Sequence, residues 1–402
     1  MPYSVRTFIA SNGERFSQLY DLEHPGFPLF YPTAFISRSV RIGTTHETQK
    51  VYLEAIKRVC EWELKRDIDL ASRFHTRQYL TVAEIDDLAL HIRARKPPHQ
   101  TGVIGNLKYN TYIRYTEQYL RWLLHEVITD SNNLEVKAAA ETQSKLILKK
   151  KIRKTGSKSA REQSAISKKL PATAQNQLLD LFQSPFIRAE HKQDYGPRLR
   201  NVVILRILYA TGMRIGEALS LKLKNFVEAV GGESAYLIIE RNHDDPHDPR
   251  PRQPAVKTRG RKLPISQELE AQILEYITDW RADVPGAGFS DESFIFITHR
   301  ARRSQGDPLQ ISAFEAGVGH LKRTFPALSS LHPHLLRHDW NYRFSIIADS
   351  LNMPSEEEAR CREELEGWET GSKSAKKYNR RHIEEKAFEM GLLVAADTSR
   401  YR

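Results

Sequence analysis

Cysteine is almost missing from this chain of 402 residues, which has only two, Cys60 and Cys361. They are too few for a disulfide framework and too far apart for a CxxC motif, so a reducing compartment is expected. No apolar run approaches the ~20 residues that a membrane helix needs; the longest, Val202 to Met213, is interrupted by Arg206. The opening MPYSVRTFIASNGERF lacks a basic start followed by a long apolar stretch. It does not read as a secretory signal, and a cytoplasmic or nucleoid location is expected. No GxGxxG follows a strand pattern and no GxxxxGK[ST] occurs, which leaves nucleotide binding without support. Fifteen histidines invite a metal reading. His243 and His247, however, stand among prolines, where no helix can present both imidazoles. His334 and His338 have an i,i+4 spacing but lack a nearby third ligand, and the adjacent arginine opposes a cation. Neither a metal nor a cofactor is expected.

What is present is ordinary in bulk and unusual in placement. Hydrophobic residues make up 40% and charged residues 28%, enough for a sizeable core. The length predicts two or three folding units. Lysine and arginine number 61 against 50 acids, a net charge of +11. Between Lys145 and Lys169 ten basic residues face one acid, Glu162, so this segment holds +9 of that excess. A polyanion such as nucleic acid is the natural partner of such a block, and a solvated basic linker is the plainer reading. Lys149, Lys150, Lys151, Arg153 and Lys154 are the candidate DNA-binding residues.

Residues 1–42 show no sustained period and read as an arm of uncertain structure. Thr44-x-x-Glu47 has the form of a capping box opening a helix with Tyr52, Ala55, Ile56, Val59 and Trp62 on one face. A second, Thr81-x-x-Glu84, opens a helix carrying Ile85, Leu88, Ala89 and Ile92, and Pro97 and Pro98 end it. A third helix is predicted from about Asn110 to Ile128. Residues 43–165 therefore read as a helical unit ending in the basic linker. From Pro171 a second unit, 168–402, is predicted to be α+β. Its helices would lie at 171–184 and 196–210, its strands at Ala235–Glu240, Val256–Ile265 and Phe294–Thr298, with helices from Ser312 onward.

Scattered residues of this second unit make chemical sense together. In ATGMRIGEAL, Gly212 closes one helix and Arg214 stands at the start of the next, where free amides already favour an anion. Glu217, three residues on, can hold that guanidinium. Lys257 lies in AVKTRGRKLPI on a predicted hairpin, with Arg259 and Lys262 as competitors for its role. HPHLLRHDW puts His334 and Arg337 on one helical face with His338 beside them. Trp368 and Tyr378 follow in GWETGSKSAKKYNRRHI. Two guanidinium forks can neutralise the equatorial oxygens of a pentacoordinate phosphate. A phenol near cations can be the nucleophile, and a lysine can protonate the departing alkoxide.

In these motifs residues 171–390 resemble the catalytic domain of the tyrosine recombinases, the phage-integrase-type site-specific DNA recombinases. ATGMRIGEAL matches the first arginine motif, VKTRGRKLPI the hairpin lysine, and HLLRH the His-x-x-Arg motif. Trp368 fills the His/Trp position, one residue further from Tyr378 than is usual, with Glu369 at the usual spacing. The resemblance implies that Arg214, Lys257, His334, Arg337, Trp368 and Tyr378 are catalytic and that Glu217 and His338 support them. It further implies a mainly α protein with a small β-sheet, a two-domain C-shaped clamp in which a helical core-binding domain and the catalytic domain enclose duplex DNA. Tyr378 would form a 3′-phosphotyrosyl bond and release a 5′-hydroxyl, without metal or ATP. Four protomers would join two DNA sites of a mobile element, with accessory DNA-bending or element-encoded proteins as further partners. The segment after Tyr378 would pack on a neighbour. The rivals are a catalytically silent DNA-binding protein on the same fold, a type IB topoisomerase, and a metal-dependent transposase or nuclease.

Overall fold

The computed structural model describes residues 2–95, 102–130, 133–153, 170–254, 256, 258–371 and 387–395. The chain divides into two compact units, Met1–Gly156 and Ser157–Arg402.

The first unit is not helical throughout. Strands β1 (Tyr3–Ile9) and β2 (Arg15–Asp21) form an antiparallel hairpin with Tyr3 opposite Asp21 and Ile9 opposite Arg15. The reading of residues 1–42 as a patternless arm misses it for a physical reason. Two inward positions of β2 are polar, Arg15 and Ser17, so the apolar alternation of a half-buried strand is absent. Arg15 donates to the Gly13 carbonyl, while the Ser17 hydroxyl lies 2.9 Å from Thr7 Oγ1 and 2.8 Å from His46 Nε2. A short helix α1 (Phe30–Phe35) leads to α2 (His46–Arg66), α3 (Leu70–His75), α4 (Val82–Arg93), α5 (Asn106–Val127) and α6 (Leu134–Lys149). Leu53, Ile56 and Val59 of α2 meet Tyr112, Tyr119 and Leu120 of α5 in a core that also takes Leu19 from the hairpin.

The Thr81–Glu84 capping box forms: Glu84 N donates to Thr81 Oγ1 at 3.2 Å and Thr81 N to Glu84 Oε2 at 2.8 Å. The Thr44–Glu47 box does not. The Thr44 hydroxyl donates to the Val40 carbonyl of the preceding turn, and α2 starts one residue later behind Thr45. Helix α6 ends at Lys149, the first of the candidate DNA contacts, after which Asn110 holds Ile152 through two 2.9 Å bonds.

The second unit is built around α8 (Tyr195–Thr211), preceded by α7 (Ala172–Gln183) and followed by α9 (Ile215–Ala218). Val202, Val203, Ile204, Leu205, Ile207 and Leu208 of α8 are fully buried, so the helix is apolar around its circumference. Three antiparallel strands, β3 (Phe226–Val227), β4 (Tyr236–Ile239) and β5 (Arg261–Pro264), form a sheet in that order. Helices α10 (Gln267–Glu275), α11 (Ile311–Thr324), α12 (Pro333–Ser350) and α13 (Ser355–Glu366) complete the unit.

Two strand expectations are corrected. Val256–Ile265 shrinks to β5 because the residues before it serve other contacts: Arg259 N donates to Gly367 O at 3.1 Å and the Thr258 hydroxyl to Glu217 at 2.7 Å. Phe294–Thr298 makes only isolated bridges, Lys222 to Phe294 and Ile297 to Pro308. The connection at 242–254 folds onto the unit. Lys222 pairs with Asp245 at 2.8 Å, and Arg250 pairs with Asp248 while donating to the Leu219 and Leu309 carbonyls.

Candidate active site

Helix α8 ends at Gly212, whose φ of +67° favours glycine. The last carbonyls of a helix lack intrahelical donors. Here three side chains of α12 supply them. Arg337 Nη1 donates to Gly212 O at 2.8 Å, Trp340 Nε1 to Ala210 O at 3.0 Å, and Arg343 to Tyr209 O. The spacing of 337, 340 and 343 puts all three on one face of α12. Its start is fixed by Pro333 in the first turn and by His332 Nδ1 accepting from Leu335 N at 2.9 Å. The first-arginine turn and the His-x-x-Arg helix, 125 residues apart in sequence, thus meet at one corner.

Each arginine has its own buried carboxylate. Arg214 Nη1 lies 3.2 Å from Glu217 Oε1, and its backbone N–H donates to Glu217 Oε2 at 2.9 Å. Glu217 is fully enclosed and also receives Arg261 at 2.8 Å and Thr258 at 2.7 Å. Burial alone would raise its pKa. The charge of Arg261 and the converging hydrogen bonds win, and hold it below the usual carboxylate range. Arg337 pairs with Glu366, which accepts from Asn341 Nδ2 at 2.7 Å. For Glu366 burial wins over the neighbouring arginines, and its pKa is pushed up to about 7. The charges of Arg337, Arg214 and Arg261 all reach Glu366, so the two arginine–carboxylate pairs share one electrostatic site.

Trp368 is buried, with its ring centroid 5.5 Å from the Arg337 guanidinium carbon. Its backbone N–H donates to Glu363 O at 2.9 Å. Glu369, at the more usual spacing, is exposed. His334 is exposed at the start of α12, and its ring meets His338 edge-on at 4.3 Å. Lys257, Tyr378 and Lys154 lie outside the described residues. The competitors for the lysine's role point elsewhere: Lys262 Nζ sits 4.9 Å over the Tyr236 ring, and Arg259 lies 3.7 Å from Glu364. Among the candidate DNA contacts Lys149, Lys151 and Arg153 are exposed, whereas Lys150 pairs with Asp86.

Sequence reasoning missed Arg261, Thr258, Asn341 and Glu366. Arg261 donates to Leu365 O at 2.6 Å and to Glu217, joining β5, α9 and α13. Gly367, with φ +64°, lets this happen: a Cβ there would stand 2.8 Å from Arg261 Nη1 and 3.0 Å from Arg259 O. The positive-φ glycine after an acidic helix was the available signal. Nothing in SEEEARCREELE marks Glu366, rather than the also buried Glu358 and Glu363, as the acid that meets Arg337.

Comparison with known proteins matches the model of the phage integrase family to residues 178–345. Over that stretch the chain resembles this family. It is 27% identical over 157 residues to tyrosine recombinase XerC of Methylobacterium sp. (strain 4-46), which is 39% of this chain and 41% of that relative. It is 30% identical over 146 residues to tyrosine recombinase XerC of Roseiflexus castenholzii, 36% and 38% of the two chains. The chain therefore spans about two fifths of the length of these curated relatives. Among solved structures, the XerH site-specific recombinase bound to palindromic difH substrate in a post-cleavage complex aligns with a TM-score of 0.46 and 15% identity. That alignment covers 84% of this chain and 75% of the other. The described residues form a mainly α architecture with small antiparallel sheets. Among the described residues no helix is long and apolar enough to cross a membrane.

Proposed function

We propose that this chain is a site-specific DNA recombinase that cuts and rejoins duplex DNA through a 3′-phosphotyrosyl intermediate. The observation that carries the reading is the corner at Gly212, where Arg214 and Arg337 come together, each held by a buried carboxylate, with Trp368 against Arg337. Such paired guanidinium groups suit a phosphate whose charge grows over its equatorial oxygens; loss of one preorganised contact of this kind commonly costs ~10²–10³ in rate. In the proposed reaction the Tyr378 oxygen bonds to phosphorus, and the bond to the 5′ oxygen breaks. Lys257 gives that oxygen a proton and His334 assists. A 5′-hydroxyl from a second strand reverses the step. The substrate is duplex DNA carrying a specific site of a mobile element, joined by four protomers with accessory proteins. The exposed Lys149, Lys151 and Arg153 follow the backbone. We assign residues 43–165 to core binding and 168–402 to catalysis.

The test is a nicked duplex made from sequences that the full chain selects out of a random double-stranded library, incubated in EDTA. Wild type is expected to give a denaturant-resistant protein–DNA adduct and Tyr378→Phe none. An adduct that persists in Tyr378→Phe assigns the nucleophile to another tyrosine, and one abolished by EDTA sinks the metal-free chemistry. A second reading, a catalytically silent DNA-binding protein, is favoured by one observation: Arg337 is only 2% exposed. Stable binding of the selected duplex with no adduct from wild type would favour it.

A further inference from the structure

The enclosure of Arg337 raises the question of what sets its position and its available charge. One amino group of its guanidinium is held by Gly212 O and the other by Glu366, which is wholly buried at the end of α13. Glu366 is fixed in turn by Asn341, which also donates to the Arg337 carbonyl at 2.9 Å. The carboxylate is therefore set behind the arginine by a closed ring of bonds. Resting on the recombinase reading, we propose that Glu366 is a positioning residue for strand cleavage: it seats Arg337, and its charge state decides how much positive charge Arg337 presents to the scissile phosphate.

The charged and polar groups facing Glu366 among the described residues come from four elements. Arg337 and Asn341 come from α12, Arg214 from the turn before α9, Arg261 from β5, and Arg362 from its own helix α13. Glu217 pairs with both Arg214 and Arg261. Ionised Glu366 offsets Arg337 and opposes an incoming phosphate anion; protonated Glu366 leaves the guanidinium its full charge while still accepting a hydrogen bond. A carboxylate whose pKa is pushed up to about 7 by burial makes that exchange near neutral pH. Attack by a phenol gains from rising pH, so Glu366 places an opposing limb on the profile.

The experiment follows single-turnover cleavage of the selected nicked duplex by the full chain from pH 6 to 9, comparing wild type, Glu366→Gln and Glu366→Asp. Above pH 7 the ratio of the Glu366→Gln rate to the wild-type rate is expected to rise by up to about tenfold per pH unit, the limit when only the protonated form cleaves. Glu366→Asp, which keeps the titrating charge, is expected to retain the wild-type limb with a displaced inflection. A ratio that stays flat with pH, as a merely structural role would give, overturns the proposal while leaving the recombinase reading intact. Should Glu366→Gln not fold, an inflection unmoved by Glu366→Asp overturns it equally. Absence of adduct from wild type at every pH overturns the recombinase reading and this inference with it.

Discussion

Replacing Gly212 by alanine strikes the point where both arginine motifs are anchored. The residue has φ +67°, a left-handed conformation that costs a non-glycine residue about 1 kcal/mol or somewhat more. The new Cβ would stand 2.7 Å from Cδ2 of Trp340. The indole cannot simply swing away, because its N–H is bonded to Ala210 O at 3.0 Å and its ring stacks on Phe344 at 5.2 Å. Overpacking of this kind typically adds about 1–3 kcal/mol. The expected loss is therefore about 2–5 kcal/mol. At roughly 2–4 °C per kcal/mol for a unit of this size, calorimetry should show melting of the second unit lowered by about 4–20 °C. Cleavage measured well below that transition should fall as well, since Gly212 O is the acceptor that seats Arg337. A double-mutant cycle separates the two contributions. With Trp340→Ala in place the clashing Cγ and ring are gone, and the pair should be at least about 1 kcal/mol less destabilised than the sum of the singles. A Gly212→Ala variant melting within about 2 °C of wild type, or strict additivity with Trp340→Ala, would refute the reasoning.

Three further outcomes are expected. Arg337→Lys cannot span both Gly212 O and Glu366, so adduct formation should drop by about 10² or more while affinity for the selected duplex in a gel shift changes little. Glu217→Gln leaves Arg261, 1% exposed, without its charge partner and should lower stability in urea by about 3–5 kcal/mol. Because the Glu217 pKa is held below that of the unfolded chain, its contribution is present above the unfolded value and lost as pH falls. The gap between wild type and this variant should therefore narrow below about pH 4.5. Neutralising Lys151 and Arg153 together should weaken binding on all duplexes alike and reduce the salt slope by about two, whereas Lys150→Ala should do less because Asp86 already engages that lysine. A loss confined to one DNA sequence would mean that these side chains read bases.

Helices with clean apolar stripes were legible, and so was the second capping box, because each depends on neighbours three or four residues away. The hairpin at Tyr3–Asp21 was illegible because Arg15 and Ser17 occupy inward positions and find partners at Gly13, Thr7 and His46. The over-long strand expected at Val256–Ile265 failed for a related reason. Arg259 and Thr258 look like ladder residues, but Gly367 and Glu217 claim their bonds.

By itself the sequence determined the ingredients of the site: two arginine motifs in order, a glycine before the first, and a tryptophan and tyrosine downstream. Those are local patterns, and local geometry requires them: a left-handed helix end needs its glycine, and the His-x-x-Arg spacing needs one helical face. Only the tertiary structure decided that Arg337 reaches Gly212, that Arg261 joins Glu217 to the end of α13, and that Glu366 is the buried acid of that helix that meets Arg337. Each of those contacts joins residues 44 to 125 positions apart or depends on which side of α13 is covered. The stabilisation of a buried charge comes from whatever surrounds it in space, and no period along the chain encodes that.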